Sequence, residues 1–290
     1  MPHPEPQNYG ALLFPCAGIG LRIPHHTAFL TAKPKIGWVE VHSENYFSGP
    51  ELRALEAVRA DYPVSLHGVG LSLGSADGVD EMHLARVMAL CDRIQSALVS
   101  EHLAWGRIGA TALPDLLPLP LTRESLDVFC MNVDRVQTAL KRTILVENPS
   151  TYLQFASSNI PEPEFLTAVT RRTGCGLICD INNIFVSAHN HGWDALDYLK
   201  TLPAAAIGEY HVAGHCPATG AAAGLLIDTH DRPVDRAVWA LFEAALQIIG
   251  PRPVLIERDA DLPSLEELLA EAVMAQKIMG QVSRRDANAA

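Results

Sequence analysis

Thr143-Ile144-Leu145-Val146-Glu147-Asn148-Pro149 is a short β-branched, apolar run that ends on a carboxylate and halts at a proline. A run that is apolar at consecutive positions suits a strand covered on both faces, as parallel sheets require. Similar runs recur at 17–21, 37–41, 64–67, 97–101, 176–180, 206–211 and 253–257, which with 143–147 makes eight. Helical spacing fills the intervals at 28–32, 51–60, 81–95, 123–140, 164–173, 193–202, 235–249 and 264–279. In 235–249 the apolar Val238, Leu241, Phe242, Ala245 and Ile248 define one stripe. Strands alternating with helices imply parallel pairing through right-handed crossovers. Eight such units in 290 residues match a single (β/α)8 TIM barrel, usually about 250 residues long. A doubly wound sheet would want a glycine-rich phosphate turn, and Gly18-Ile19-Gly20-Leu21-Arg22 lacks its third glycine.

No Pro/Ser-rich linker or charge block divides the chain, so one barrel domain is expected over 9–282, between flexible ends at 1–8 and 283–290. The stretch 212–233 is the longest irregular connection and reads as a functional loop. Twenty-two basic against thirty-three acidic residues give a net charge of −11. That balance argues against nucleic acid and anionic membranes as partners. No run approaches the ~20 apolar residues of a membrane span, and no basic segment precedes the apolar 11–21 stretch, so a cytoplasmic location is expected. The six cysteines form no CxxC pair, which leaves them as reduced thiols, most of them buried.

Chemistry in a barrel sits where the strands end. Here those ends carry His42, His67, Glu101-His102, Glu147, Asp180 with Asn183, His211 with His215, Asp228 with His230, and Glu257. One histidine or one carboxylate at a strand end is ordinarily a satisfied polar residue, and Asp180 or Asn183 could cap a helix. Seven consecutive strands feeding one rim are different, because several anions would be desolvated together. Arg22 and Arg258 are too few to offset them, whereas multivalent metal ions could. About eight candidates exceed the roughly four ligands of one zinc, so more than one ion is expected. Imidazole with carboxylate and no thiolate suits Zn, Fe, Mn or Co. Glu40, Glu44 and Asn45 are candidates for orienting imidazoles. His3, His25, His26 and His83 read as solvent-facing, and His189 and His191 as part of a loop after the sixth strand.

The ordered segments Glu40-Val41-His42-Ser43-Glu44-Asn45-Tyr46, Leu66-His67-Gly68, Ser100-Glu101-His102, Val146-Glu147-Asn148-Pro149, Asp180-Ile181-Asn182-Asn183, His211-Val212-Ala213-Gly214-His215, Asp228-Thr229-His230 and Ile256-Glu257-Arg258-Asp259 resemble the multinuclear non-haem iron-dependent oxidases related to the methanobactin-biosynthesis oxidase. The resemblance runs from about Tyr9 to Met279. It implies a xylose-isomerase-like barrel holding two or three iron ions (Fe2+/Fe3+), with dioxygen as co-substrate. It also implies modification of cysteines in a ribosomally made precursor peptide and a partner protein that binds the peptide's leader. By resemblance the metal ligands are His42, His67, Glu147, Asp180, Asn183, His211, Asp228, His230 and Glu257, with His42, His67, Glu147, Asp180, His211 and Glu257 catalytic. Glu101, His102 and His215 match less firmly. Two alternatives share the barrel: a trinuclear-zinc phosphodiesterase, which has histidine where Asn183 stands, and a sugar isomerase, which wants a lysine near the metals.

Overall fold

The structure, a computed structural model, describes residues 13–289; the expected flexible stretch 1–8 lies outside the described residues. In chain order the strands are β1 (Ala17–Gly20), β2 (Val39–His42), β3 (Val64–His67), β4 (Leu98–His102), the hairpin β5 (Trp105–Ile108) and β6 (Thr111–Leu117), β7 (Leu145–Glu147), β8 (Gly176–Asp180), β9 (Ile207–Val212), the short β10 (Cys216–Pro217) and β11 (Leu226–Ile227), and β12 (Val254–Ile256). The helices are α1 (His26–Ala32), α2 (Gly49–Arg59), α3 (Glu81–Ile94), α4 (Arg123–Leu140), α5 (Glu162–Thr173), α6 (Ile181–His191), α7 (Ala195–Thr201), α8 (Arg236–Ile249) and α9 (Leu265–Ala289). Eight strands close into a parallel barrel in the order β1-β12-β9-β8-β7-β4-β3-β2.

Alternation along each strand decides what faces inward. Ile19, Val39, Val41, Leu66, Val99, Val146, Leu177, Tyr210, Val212 and Ile256 join the outer core against the helices. Leu13, Trp38, Leu98, Leu145, Ile178 and Leu255 form a second apolar cluster, the plug at the bottom of the barrel. Two residues further along β4, β7, β8 and β12 the inward positions are Ser100, Glu147, Asp180 and Glu257, so the interior turns from apolar to ionisable within one repeat. The strand β1 contributes glycines instead. A Cβ on Gly18 would collide with the Trp38 ring, and one on Gly20 would crowd the Arg22 guanidinium.

Register places the polar layer. His42 pairs with His67, His102 with Glu147, and Asp180 with His211. The β8–β9 ladder slips between Leu177 and Ile178, so that Ile178 pairs with Glu209 and Gly208 is bypassed. Such bulges re-aim side chains, and Glu209 and His211 both face inward beyond this one.

Four features depart from the sequence reading. The segment 181–191 is a helix rather than a loop, with Asp180 capping it through the Asn183 N–H and Gly192 ending it in the left-handed region. On α8, Ile249 is buried and Ile248 exposed, because ten residues fall short of three helical turns whereas eleven complete them. The α9 helix continues to Ala289, through most of the stretch 283–290 expected as a tail. The long connection 212–233 carries the β10–β11 pair, and β5–β6 forms a hairpin over the barrel mouth. Among the described residues, no helix is long and apolar enough to cross a membrane.

Candidate metal centre

At the carboxyl ends of the strands, buried donors converge in linked sets. His67, His102 and Glu147 form one, with His67 Nε2 at 3.1 Å and His102 Nε2 at 3.5 Å from Glu147 Oε2. Glu147, Asp180, His211 and Glu257 form a second, with His211 Nδ1 at 3.7 Å from Glu147 Oε1 and 3.3 Å from Glu257 Oε2. His42, Glu257 and Asp259 form a third, His42 Nε2 standing 3.7 Å from each carboxylate. Glu147 joins the first set to the second, and Glu257 joins the second to the third. Asp228 and His230 pair at 2.7 Å on the rim, and His230 Nδ1 lies 3.6 Å from Glu257 Oε2. Asn183, on the first turn of α6, donates its amide to Glu147 Oε1 at 3.4 Å. Above them opens a cavity of about 700 Å3 walled by the β6 strand and the Pro149–Leu153 segment.

Surrounding groups aim the imidazoles. The His102 Nδ1–H donates to Gly68 O at 3.0 Å and to Glu101 Oε1 at 3.2 Å, leaving Nε2 to face Glu147. The His211 Nε2–H donates to Glu209 Oε1 at 3.2 Å, leaving Nδ1 toward Glu147 and Glu257. Glu40, fully buried, accepts from Ser65 and lies 3.5 Å from the same Nε2. This carboxylate–imidazole arrangement is how proteins orient metal-binding histidines. Glu101 therefore buttresses His102, also accepting from the Leu71 N–H.

Several expectations are corrected by these contacts. His215 hydrogen-bonds Asn182 Oδ1, whose amide donates to Asp228, so it supports the rim and stands outside the donor sets. Glu44 bonds His83 and the Val69 N–H rather than a strand-end imidazole, and Asn45 is exposed. Arg258 points outward to Glu271 on α9, as alternation beside inward Glu257 demands. His25 and His26 are buried, one on Pro263 O and one on the Tyr46 hydroxyl. His189 and His191 close the last turn of α6 and bond Gly224 O and Thr151. Asp259 and Glu209 are additions. The signal for each was in the sequence, two residues from Glu257 and His211 and hence on the same strand-end side.

The countercharge inside the cage comes chiefly from its own imidazoles. Burial lowers the His67 imidazole, yet Glu40 and Glu147 carry it up to about 10. Burial raises the Glu147 carboxyl, yet His211, His102 and His67 hold it down at about 2. Glu257 is held well below the usual range, against burial, by His230, His211 and His42. Asp180 goes the other way: burial, then Glu147 and Asp228, push it well up. Arg22 adds its guanidinium at 2.6 Å from Asp259 and 3.6 Å from Glu257. Even so Glu147 Oε2, Asp180 Oδ2, Asn183 Oδ1, His211 Nδ1, His230 Nε2 and Glu257 Oε2 are buried without an aligned hydrogen bond, the imidazoles meeting these carboxylates and Asp228 only as ion pairs. Convergent buried atoms of oxygen and nitrogen type that no aligned hydrogen bond occupies suit a metal site, and the residues fit one.

A family model described as "RiPP precursor modification enzyme MbnB/TglH/ChrH", for enzymes acting on ribosomally made peptides, matches residues 16–280. The chain belongs to this family. A UPF0276 protein of Caulobacter vibrioides (strain NA1000) is 50% identical over 278 residues, covering 94% of this chain and 99% of the relative. A UPF0276 protein of Vibrio vulnificus is 47% identical over 267 residues, covering 91% and 92% respectively. Among solved structures, a D-tagatose 3-epimerase-like protein superposes with a TM-score of 0.61 at 14% identity, over 93% of this chain and 99% of that one. A xylose isomerase domain protein from Alicyclobacillus acidocaldarius gives 0.56 at 16%, over 93% and 99%. These structural neighbours share the barrel fold with this chain.

Two expected outcomes follow, one from a loop that holds the rim and one from the buried thiols. A Cβ on Gly214 would collide with the Arg232 backbone carbonyl, while Gly214 O accepts from the His230 N–H at 3.0 Å. Gly214→Ala should therefore displace Asp228 and His230 and weaken metal binding by ~10- to 100-fold, as disruption of a supporting shell does. Equilibrium metal titration checks this, and an unchanged affinity would refute it. Cys175 and Cys179 are buried away from the donor sets. Cys175→Ser and Cys179→Ser should leave metal content unchanged and lower stability by ~1–3 kcal/mol each, the cost of burying a hydroxyl. Metal analysis beside thermal melts separates the two effects.

Proposed function

We propose that this chain is a multinuclear non-haem iron oxidase that uses dioxygen to modify cysteine residues of a ribosomally synthesised precursor peptide. The observation that carries the reading is the chain of donor sets tied together by Glu147 and Glu257 at the floor of a wide mouth. His67, His102 and Glu147 would hold one ion, Glu147, Asp180, His211, Glu257 and Asn183 a second, and His42, Glu257 and Asp259, with Asp228 and His230 beside them on the rim, a third. Oxygen and imidazole donors without thiolate admit iron alongside zinc, manganese and cobalt, and the family resemblance is what selects iron among them. Bound iron would supply one-electron chemistry with dioxygen and an acidic centre for a substrate thiolate.

The residues of the chain do the rest. Glu101 and Glu209 fix which imidazole nitrogen faces the centre, and Arg22 holds Asp259 in place. The β6 strand and the Pro149–Leu153 wall would cradle an extended peptide above the centre. A separate leader-binding protein would deliver that peptide in the cytoplasm, where substrate thiols and the six unpaired cysteines stay reduced.

The test is purification without air, followed by metal analysis, visible absorption, and incubation with a cysteine-containing precursor encoded beside the gene. An iron protein that changes the peptide's mass only when dioxygen is admitted supports the reading. A colourless zinc protein that cleaves phosphodiesters, or a peptide untouched by the iron form, overturns it.

A further inference from the structure

A second cavity, of about 660 Å3, lies beside the metal mouth and shares Pro118, Pro149, Thr151 and Leu153 with its walls. The two cavities therefore flank one shared wall of residues. Leu121, Phe155, Ile160 and Trp193 make much of the lining apolar. The charged residues that line it are all acidic: Glu162, Glu164, Asp194 and Asp197. Asp194 is occupied in capping α7, and Asp197 is paired with Lys200 at 3.0 Å.

Glu162 is the exception. It is only 6% exposed and takes one hydrogen bond, from the Tyr198 hydroxyl at 2.6 Å. Among the described residues no cationic side chain acts on it; burial pushes its carboxyl up to about 7, and the Tyr198 hydroxyl moderates the rise. A buried carboxyl without a counter-ion is costly in its charged form. The bland explanation is a helix-start glutamate satisfied by one tyrosine. It leaves unexplained why an acidic group is buried in a cavity of this volume whose lining holds no basic residue.

We propose that this cavity receives a basic side chain, arginine or lysine, of the peptide substrate, with its methylenes on the apolar walls and its charge on Glu162. The proposal rests on the reading of the chain as a peptide-modifying enzyme. Long basic side chains combine an apolar stem with a charged tip, which matches a lining of this kind. A charge-assisted hydrogen bond to a desolvated carboxylate is also among the stronger polar contacts available.

The test uses the metal-loaded protein and short acetylated, amidated peptides in which serine replaces cysteine, so that no thiol chemistry contributes. One carries arginine and the other citrulline, its uncharged isostere. Calorimetry should show the arginine peptide binding about tenfold or more tightly, and Glu162→Gln should reduce that preference to less than about threefold. Thr201→Trp, at an exposed position on the cavity rim, should weaken the arginine peptide in a background where Glu162 is intact. Equal affinities, a preference that survives Glu162→Gln, or no binding of either peptide overturns the proposal. Because the readout is binding of a thiol-free peptide, these failures stand apart from a failure of the oxidase reading, which shows as absent dioxygen-dependent modification.

Discussion

Replacing Glu257 with alanine is expected to remove more than half of the bound metal and to lower peptide modification by more than about a hundredfold, with the barrel still folded. The size of the effect comes from sharing. Glu257 belongs to two of the three linked donor sets, and its Oε2 lies 3.3 Å from His211 Nδ1 and 3.6 Å from His230 Nδ1. One substitution therefore opens two sites. Glu147→Ala should do the same to the other neighbouring pair, whereas Asp259→Ala, a member of one set, should cost less. Folding should survive because the plug of Trp38, Leu98, Leu145, Ile178 and Leu255 and the outer apolar layer do not depend on the polar rim. Metal analysis of the purified variants, with circular dichroism beside it, checks the claim. A Glu257→Ala protein with full metal content would show that the donor sets act independently or that Glu257 is no ligand.

The barrel was legible because its two periodicities are clean. Strands such as 143–147 and 176–180 are short, apolar and regularly spaced, and the helices between them carry stripes that only a core explains. The missed helix α6 shows where this fails. Its sequence Ile181-Asn-Asn-Ile-Phe-Val-Ser-Ala-His-Asn-His is rich in weak helix formers, and burial rather than propensity holds it. The β5–β6 hairpin is half-buried on β5 and exposed on β6 and lacks an apolar alternation, so no periodic signal marks it. At the site, strand ends identified which residues converge but not how they divide the labour. That Glu101 would aim His102, that His215 would face Asn182, and that Arg258 would turn to α9 are decided by side-chain direction across strands. Sequence spacing alone does not contain it. The strand-end histidines read from sequence as ligands, yet between buried carboxylates an imidazole is also a cation.

That double role predicts that metal loading releases protons. In the metal-free protein His67 is raised to about 10, and His211 and His230 also stand well above their ordinary value. Burial opposes all three, so the rise is the work of the facing carboxylates: Glu40 and Glu147 for His67 and His211, Asp228 and Glu257 for His230. Near neutral pH these rings carry protons that a metal ion must displace, since only a deprotonated nitrogen can ligate. Ferrous ion added under argon should therefore release more than one proton per protein, read as a buffer-dependent heat. Its apparent affinity should rise about tenfold per pH unit for each proton displaced. Stability without metal runs the opposite way. A histidine whose folded pKa is raised stabilises the fold fully below about 6.5 and loses that contribution as pH climbs through the folded value. For His67 the loss falls between about 6.5 and about 10. Metal-free protein should thus melt at lower temperature as pH rises across that window, while loaded protein, whose metal is held more tightly there, should not. Proton-free loading with pH-independent affinity would mean that metal does not bind through these imidazoles.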